Sequence, residues 1–204
     1  MKVLAFNGSP HEQGVSHKAI LTLASELEKE NISTEILHIG DKNIAGCVAC
    51  RACVKTGKCK FNDIVTQCAE KLEKVDGIIL ASPVYYGGIA GNFKCFLDRL
   101  FYSGAKLAFK AGASIVNLRR TGGINAYHQL NNYLTLAGAV ITPTVYWNVL
   151  HGNSADEAGQ DEEGLFTVKT VGRNMAWLIK SLELGRKTIP LPAAEKRVHT
   201  NFIR

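Results

Sequence analysis

Strand-like and helix-like segments alternate five times along this chain, and that alternation restricts the architecture more than any single motif. Lys2–Phe6 is apolar and β-leaning. In Ser16–Glu30, Ile20, Leu23, Ala24 and Leu27 recur at helical spacing, which predicts an amphipathic helix. Thr34–Ile39 reads as a second strand, Ile64–Lys74 as a helix, Gly77–Ala81 as a third strand and Gly91–Tyr102 as a helix. Ala113–Leu118 is a fourth strand, Ile124–Ala137 a helix and Ala139–Val145 a fifth strand. A last helix is expected from about Asp161 to Leu184, with acids in its first turn, Gly185 as a stop and Arg186-Lys187 at its end. Nearly continuous apolar strands joined by helices imply a parallel sheet buried on both faces. In such sheets ligands sit beyond the carboxyl ends of the strands, at the topological switch point.

The 204 residues suit one domain, 1–204, with a cysteine-rich loop at 44–62 and an irregular C-terminal tail at 186–204. No apolar run approaches the roughly 20 residues that would span a bilayer. The opening Met1–Gly8 reads as a strand, not an export signal, so a cytoplasmic location is expected. The net charge is +6. No Lys/Arg run alternates with aromatics, so no nucleic-acid partner is expected, and the excess of cations reads as a basic surface that attracts anionic cofactors.

Three loops fall at strand ends where a ligand would bind. The first, Asn7–His17, holds two glycines, Ser9 and Ser16, and leads straight into a helix. Helix-start amides and hydroxyls make a phosphate cradle there, although Ser16 also suits a plain helix cap. The loop is neither G-x-G-x-x-G nor a P-loop, which argues against a dinucleotide fold of the usual type and against ATP. The second, Ala81–Gly91, sets Pro83, Val84, Tyr85, Tyr86 and Gly87 together, offering flat aromatic surface and backbone donors to an isoalloxazine ring. The third, Asn117–Gly123, places Arg119, Arg120, Thr121, Gly122 and Gly123 where they would hold a reduced flavin or a second nucleotide's phosphate.

Between the second strand and the second helix stand Cys47, Cys50, Cys53 and Cys59, spaced C-x2-C-x2-C-x5-C. The spacing is close to that of ferredoxin-type [4Fe–4S] ligands, with a longer last gap and no proline after the last cysteine. A four-thiolate zinc site, which usually shows two separated C-x2-C pairs, and free thiols both stay open. Cys68 and Cys95 read as small core residues. Because the loop follows the second strand, a cluster is expected on the same side of the sheet as the three ligand loops.

Gly8-Ser9-Pro10, Pro83–Gly88 with Phe96-Leu97-Asp98-Arg99, and Arg119–Gly123 resemble the NADPH-dependent FMN reductase family of flavodoxin-like proteins, and the cysteine run resembles its iron–sulfur flavoprotein branch. Tyr146–Gly152, Asp161–Gly164 and Thr200–Arg204 are similar to stretches of that branch. The resemblance implies an α/β, flavodoxin-like three-layer sandwich with a five-stranded parallel sheet in the order 2-1-3-4-5. It implies FMN, its phosphate in the loop bearing Ser9, His11, Ser16 and His17 and its ring against Pro83–Gly88, and NAD(P)H as co-substrate. It also implies a homodimer or homotetramer, with small-molecule or protein electron donors and acceptors as partners. His11 stands where the family usually carries arginine after Gly-Ser-Pro. The expected function is an FMN-dependent oxidoreductase, with an iron–sulfur flavoprotein electron carrier or a redox sensor as alternatives. His151 reads as a structural histidine.

Overall fold

The computed structural model describes residues 1–193 together with Glu195, Val198, Thr200 and Phe202. The first half of the chain forms β1 (Lys2–Asn7), α1 (Val15–Glu28), β2 (Ser33–His38), the short α2 (Ala52–Thr56), α3 (Ile64–Leu72), β3 (Gly77–Tyr85), β4 (Gly88–Ile89) and α4 (Gly91–Tyr102). The second half forms β5 (Ala111–Leu118), α5 (Gly123–Leu136), β6 (Val140–Ile141), β7 (Val149–His151), α6 (Ala155–Ala158) and α7 (Glu162–Thr188). The sheet runs β2-β1-β3-β5-β6 with all these pairs parallel. Counting only those five core strands, this is the expected 2-1-3-4-5 order.

Both sheet faces are buried, and alternate residues of one strand feed different cores. Leu4 and Phe6 join Phe93, Phe96, Leu97 and Leu100 under α3, α4 and α5. Val3 and Ala5 join Ile20, Leu23, Val171 and Met175 under α1 and α7. Each of the larger side chains, fully buried, contributes roughly 1.5–3 kcal/mol over its exposed state. That two-sided burial is why the strands read as unbroken apolar runs.

Several expectations need correction. The third strand extends to Tyr85, because its parallel pairing with β5 continues to Pro83 opposite Asn117 and β4 then folds back on it. The fifth strand, expected over Ala139–Val145, is split: β6 pairs with the start of β5 and β7 with its end. Between them Asn148 is buried and donates from its side chain to Ser114 O at 2.9 Å. The last helix does not stop at Gly185. It runs to Thr188, with Ile189 N donating to Gly185 O at 2.7 Å, so residues 186–188 are helix rather than tail. An exposed glycine costs a helix only about 1 kcal/mol, too little to end one already packed over many turns. Ala194, Lys196, Arg197, His199, Asn201, Ile203 and Arg204 lie outside the described residues, and with them part of the expected tail and of the Thr200–Arg204 stretch. Among the described residues no helix is long and apolar enough to cross a membrane.

Candidate functional site

The first expected loop is braced from below by Asn7, a residue that sequence reasoning did not single out. Its Oδ1 accepts from Ser9 N at 3.1 Å, and its Nδ2 donates to Glu12 O at 2.9 Å. Ser9 Oγ in turn accepts from His11 N at 3.1 Å, closing a tight turn. His38 Nε2 meets Ser9 O at 2.8 Å, tying the loop to the end of β2. At the start of α1 the N-cap is Gly14, and no side chain caps the helix. The amides of its first turn therefore face outward without an internal partner, an arrangement that favours an anion.

The second loop is a two-residue hairpin. Val84 pairs with Ile89 and Tyr85 with Gly88, leaving Tyr86 (φ 51°) and Gly87 (φ 76°) at the tip. Two consecutive left-handed residues define the type I′ turn that hairpins prefer. Asn or Gly usually takes the first of these positions, and Tyr86 holds it at a strain cost of about 1 kcal/mol or more. Its ring is wholly exposed. Ser82 is buried and fixes the hairpin base, accepting from Ala90 N at 3.0 Å. Asn125 Nδ2 reaches Gly87 O at 2.8 Å and links the tip to the third loop.

These loops enclose two adjacent clefts. The larger, about 760 Å³, is lined by Ser9 to Val15, by Pro83, Val84 and Tyr85, by Asn117 to Arg119, and by Gly152 to Ala155. The smaller, about 490 Å³, is lined by Gly87, Arg120 to Asn125, Tyr146, Trp147, His151 and the first turns of α7. Leu118 lines both. The expected residues thus divide between two neighbouring spaces. Ser9, His11, Pro83, Val84, Tyr85 and Arg119 border the larger; Gly87, Arg120, Thr121, Gly122 and Gly123 border the smaller.

Ser16, His17 and Tyr86 line neither cleft. Ser16 is fully buried and its hydroxyl donates to Asn117 Oδ1, so it locks α1 to the end of β5. Only its backbone N–H remains for an anion. Asn117 opens the third loop and Gly152 closes the Tyr146–Gly152 stretch, but sequence reasoning singles out neither as a site residue, and Ser154 carries no motif that would reveal it. The fold brings β7 and α6 to the same rim, and Ser154 Oγ caps α6 by accepting from Glu157 N at 3.1 Å.

His151 borders the smaller cleft beside Asp161. Asp161 Oδ2 accepts from His151 N at 2.7 Å and lies 3.1 Å from His151 Nδ1, while Oδ1 accepts from Gly164 N at 2.9 Å and caps α7. Partial burial would raise the Asp161 pKa, but the His151 and Gly164 amides outweigh it and hold the carboxyl below its ordinary 3.8. A carboxyl whose folded-state pKa is depressed adds stability above its unfolded pKa and loses it as pH falls through the folded one. Asp161→Asn is therefore expected to lower unfolding free energy at neutral pH by about 1–2 kcal/mol. Urea titrations of both proteins should converge as the solution is acidified below the carboxylate range; a gap that persists there would mean that charge is not the cause.

The cysteine loop departs from the expected placement. Cys47, Cys50, Cys53 and Cys59 all border one cavity of about 20 Å³, together with Phe61, Arg99, Tyr102 and Ser103. Those last three lie in or just after the final turn of α4, whose first turn stands at the hairpin. At 1.5 Å of rise per residue the cavity lies roughly 15 Å down the helix from the cleft edge. It is not beside the three ligand loops of its own chain, because the loop leaves β2, passes Asn92, whose side chain donates to Gly40 O at 3.1 Å, and then descends along α4. Arg99 holds it there: the guanidinium pairs with Asp63 at 2.7 and 2.8 Å, reaches Cys59 Sγ at 3.4 Å and lies 4.7 Å from the Phe61 ring centroid. Ala49 and Arg51, interleaved with the cysteines, both take left-handed backbone (φ 51° and 59°). Such strain persists only where surrounding structure imposes it.

All four cysteines are free thiols. Among the described residues no three His, Cys, Asp or Glu side chains are grouped tightly enough to hold one metal ion. A zinc ion would need its sulfurs about 2.3 Å from a single centre, so neither it nor a larger cluster has a ready-formed site among the described residues. A four-iron cube spreads its thiolates more widely, and the donor set of four cysteines around one cavity fits it. The cavity as folded has room for little more than a water, so loading a cluster requires the loop to open outward.

A family model described as NADPH-dependent FMN reductase matches residues 1–154 of the chain, a span that includes all three loops and the cysteines. An iron–sulfur flavoprotein of Methanocaldococcus jannaschii is 29% identical over 192 residues, covering 90% of this chain and 100% of that protein. One from Archaeoglobus fulgidus is 32% identical over 164 residues, covering 77% of this chain and 73% of its own length. Among solved structures, RosB with bound 8-demethyl-8-formylriboflavin-5'-phosphate superposes with a TM-score of 0.72 at 17% identity, over 100% of this chain and 94% of RosB. A flavodoxin from the Archaea superposes with a TM-score of 0.59 at 14% identity, over 88% and 99% of the two chains. At these identities the structural likeness shows a shared flavodoxin-like sandwich.

Proposed function

The chain belongs to the NADPH-dependent FMN reductase family, in its iron–sulfur flavoprotein branch, and from that premise we propose that it binds FMN in the larger cleft and works as an oxidoreductase. Electrons would come from NAD(P)H or a ferredoxin-like donor and leave to an acceptor. The carrying observation is the convergence of the first loop, the hairpin and the end of β5 on one cleft of about 760 Å³, with the uncapped start of α1 opening onto it.

FMN, when bound, supplies the redox chemistry; the protein positions it and tunes its surroundings. In this reading the first-turn amides of α1 and the backbone of the Ser9–Gly14 loop hold the phosphate. Arg119 adds a fixed positive charge at the cleft wall. His11 borders the same cleft where the family usually carries an arginine after Gly-Ser-Pro. Pro83, Val84 and Tyr85 offer one wall to the ring. The smaller cleft, with Arg120, Tyr146 and Trp147, is the place for the second substrate.

The four cysteines are proposed ligands of a [4Fe–4S] cluster. A pure electron carrier is the second reading, favoured by the exposure of Cys47 and Cys50 at the surface, where a protein partner has access. Anaerobic purification followed by a visible spectrum tests both cofactors. Twin flavin bands report FMN, and a broad added shoulder with matching iron and sulfide reports the cluster. Cys50→Ala should remove the shoulder and leave the flavin bands; an unchanged shoulder would strike Cys50 from the ligand set. Steady oxidation of NAD(P)H by the purified protein separates reductase from carrier. A colourless protein that ignores excess FMN would end the whole reading.

A further inference from the structure

Of the two cysteines that the sequence assigns to the core, only one belongs wholly to it. Cys68 is fully buried, and burial pushes its thiol up to about 12. Cys95 is half-buried, on the side of α4 that carries the cysteine loop. Cys95, Arg99 and Tyr102 recur at helical spacing and form one stripe. Each meets a different part of the loop. Arg99 donates to Ala45 O at 3.3 Å and reaches Cys59 Sγ at 3.4 Å, and Tyr102 O accepts from Cys53 Sγ at 3.8 Å. Cys95 faces the residue before the first cysteine: a Cβ placed on Gly46 would lie 3.7 Å from Cys95 Sγ.

That contact bears on Cys47, the next residue. In a disulfide the two Cβ atoms stand about 3.8 Å apart, so position 46 is close to bonding reach of Cys95. Cys47 is one Cα step of about 3.8 Å further on. Residues 43–50 form neither helix nor strand, so a shift of one residue there breaks no ladder. Cys47 is also exposed, where a dissolved oxidant has access. The other loop cysteines are placed less well. Cys59 and Cys53 are held one and two turns further along α4, by Arg99 and at Tyr102, and Cys50 lies beyond the left-handed Ala49.

We propose that Cys47 and Cys95 are a redox pair that closes into a disulfide when the loop holds no cluster. The oxidant is a peroxide. It transfers one oxygen to the exposed Cys47 thiol, giving a sulfenic acid, and its other oxygen leaves as water. The Cys95 sulfur then attacks the Cys47 sulfur. The S–O bond breaks as the S–S bond forms, and the hydroxyl leaves as a second water with the Cys95 proton. The two thiols together lose two electrons, and the peroxide gains them. A small thiol reverses the step by exchange, through a mixed disulfide.

The bridge has a consequence for the cavity among the four loop cysteines. Loading that cavity requires the loop to open outward. A Cys47–Cys95 bond fastens the first half of the loop to α4, while Arg99 already fastens its last cysteine and its exit. It also removes Cys47 from the thiols available to a metal. The oxidised chain is therefore closed to iron until a reductant reopens it. The pair needs no flavin, so its test is independent of FMN binding.

Disulfide mapping of the full chain, stripped of iron by a chelator and fully reduced, tests the pair. Hydrogen peroxide is added in equimolar amount, remaining thiols are alkylated, and the protein is digested without reductant. The expected product joins the peptides of Cys47 and Cys95 and separates on adding dithiothreitol, with Cys68 recovered as a thiol. Limited proteolysis within 44–62 should slow about tenfold in the bridged protein, because local opening of the loop is restrained. Cys95→Ser should lose both the joined peptides and the protection. A bridge confined to Cys47, Cys50, Cys53 and Cys59, Cys95 recovered alkylated, or cleavage unchanged by the bridge overturns the proposal. The map is read on the wild-type chain, so it decides even where Cys95→Ser fails to fold.

Discussion

Arg99→Ala is expected to lower the unfolding free energy by about 3 kcal/mol, the low end of what breaking a buried ion pair costs. The residue is 2% exposed yet charged, and the polar and aromatic partners of its guanidinium belong to the cysteine loop or its exit. Its fork binds both oxygens of Asp63, the residue that caps α3 by accepting from Val65 N at 3.1 Å. A third bond reaches Ala45 O at 3.3 Å, before the first cysteine. One guanidinium therefore pins the beginning, the last cysteine and the end of the loop to α4. Truncation leaves a void under Phe61 and an unpaired carboxylate. Asp63 keeps 35% of its side-chain exposure and can hydrate, which is why the upper end of the range is not expected. Arg99→Lys should recover little, since a single ammonium cannot make the two-pronged contact. Denaturant titration reads the stability, and limited proteolysis reads the loop: cleavage within 44–62 should accelerate in Arg99→Ala. A loss under about 1 kcal/mol, the range of an exposed ion pair, would show that the loop is anchored by something else.

Gly40→Ala should cost the protein its flavin. A Cβ placed on Gly40 would lie 2.1 Å from Ser9 O, 2.2 Å from Ser9 C and 2.6 Å from Gly8 O. All three are backbone atoms of the first loop, so no side-chain rotation relieves the overlap. The alternative is to move the end of β2, but Ile39 N and Gly40 N both donate to Asn7 O, at 2.8 and 3.2 Å, and Asn92 holds Gly40 O. The strain must go into the turn made by Asn7, Ser9 and His11. Overpacking of this kind costs about 1–3 kcal/mol, and the displaced amides should weaken FMN binding at least tenfold. Quenching of flavin fluorescence on titration with apoprotein measures the affinity, and a thermal melt measures the stability. Unchanged FMN affinity in a destabilised Gly40→Ala protein would show that the first loop does not hold the phosphate.

The strand cores and α4 were legible because each contact that defines them is local in period: apolar runs for strands buried twice over, and helical spacing for Phe93, Phe96, Leu97 and Leu100. The ends of elements were less so. Gly185 and Arg186-Lys187 signal a stop, yet α7 continues because packing along its whole inner face outweighs one glycine. The loop after the third strand was visible as an aromatic and glycine-bearing turn, but not that it folds into a hairpin with Tyr86 in the strained position facing only solvent. Ser16 shows the limit at the level of one side chain. A serine at a helix start binds phosphate or caps, as far as spacing can tell. Only the arrival of Asn117, 101 residues later, turns its hydroxyl into an internal bond.

Alternation and composition alone therefore determined a doubly covered parallel sheet, three loops at its carboxyl edge and a loop rich in soft ligands, because periodicity and turn chemistry act over a few residues. Tertiary structure decided the rest. It divided the loop residues between two clefts, carried the cysteines down α4 to Arg99 and brought Ser16 to Asn117. Those outcomes depend on which distant segments meet, and a residue's spacing from its chain neighbours carries no record of a partner a hundred positions away.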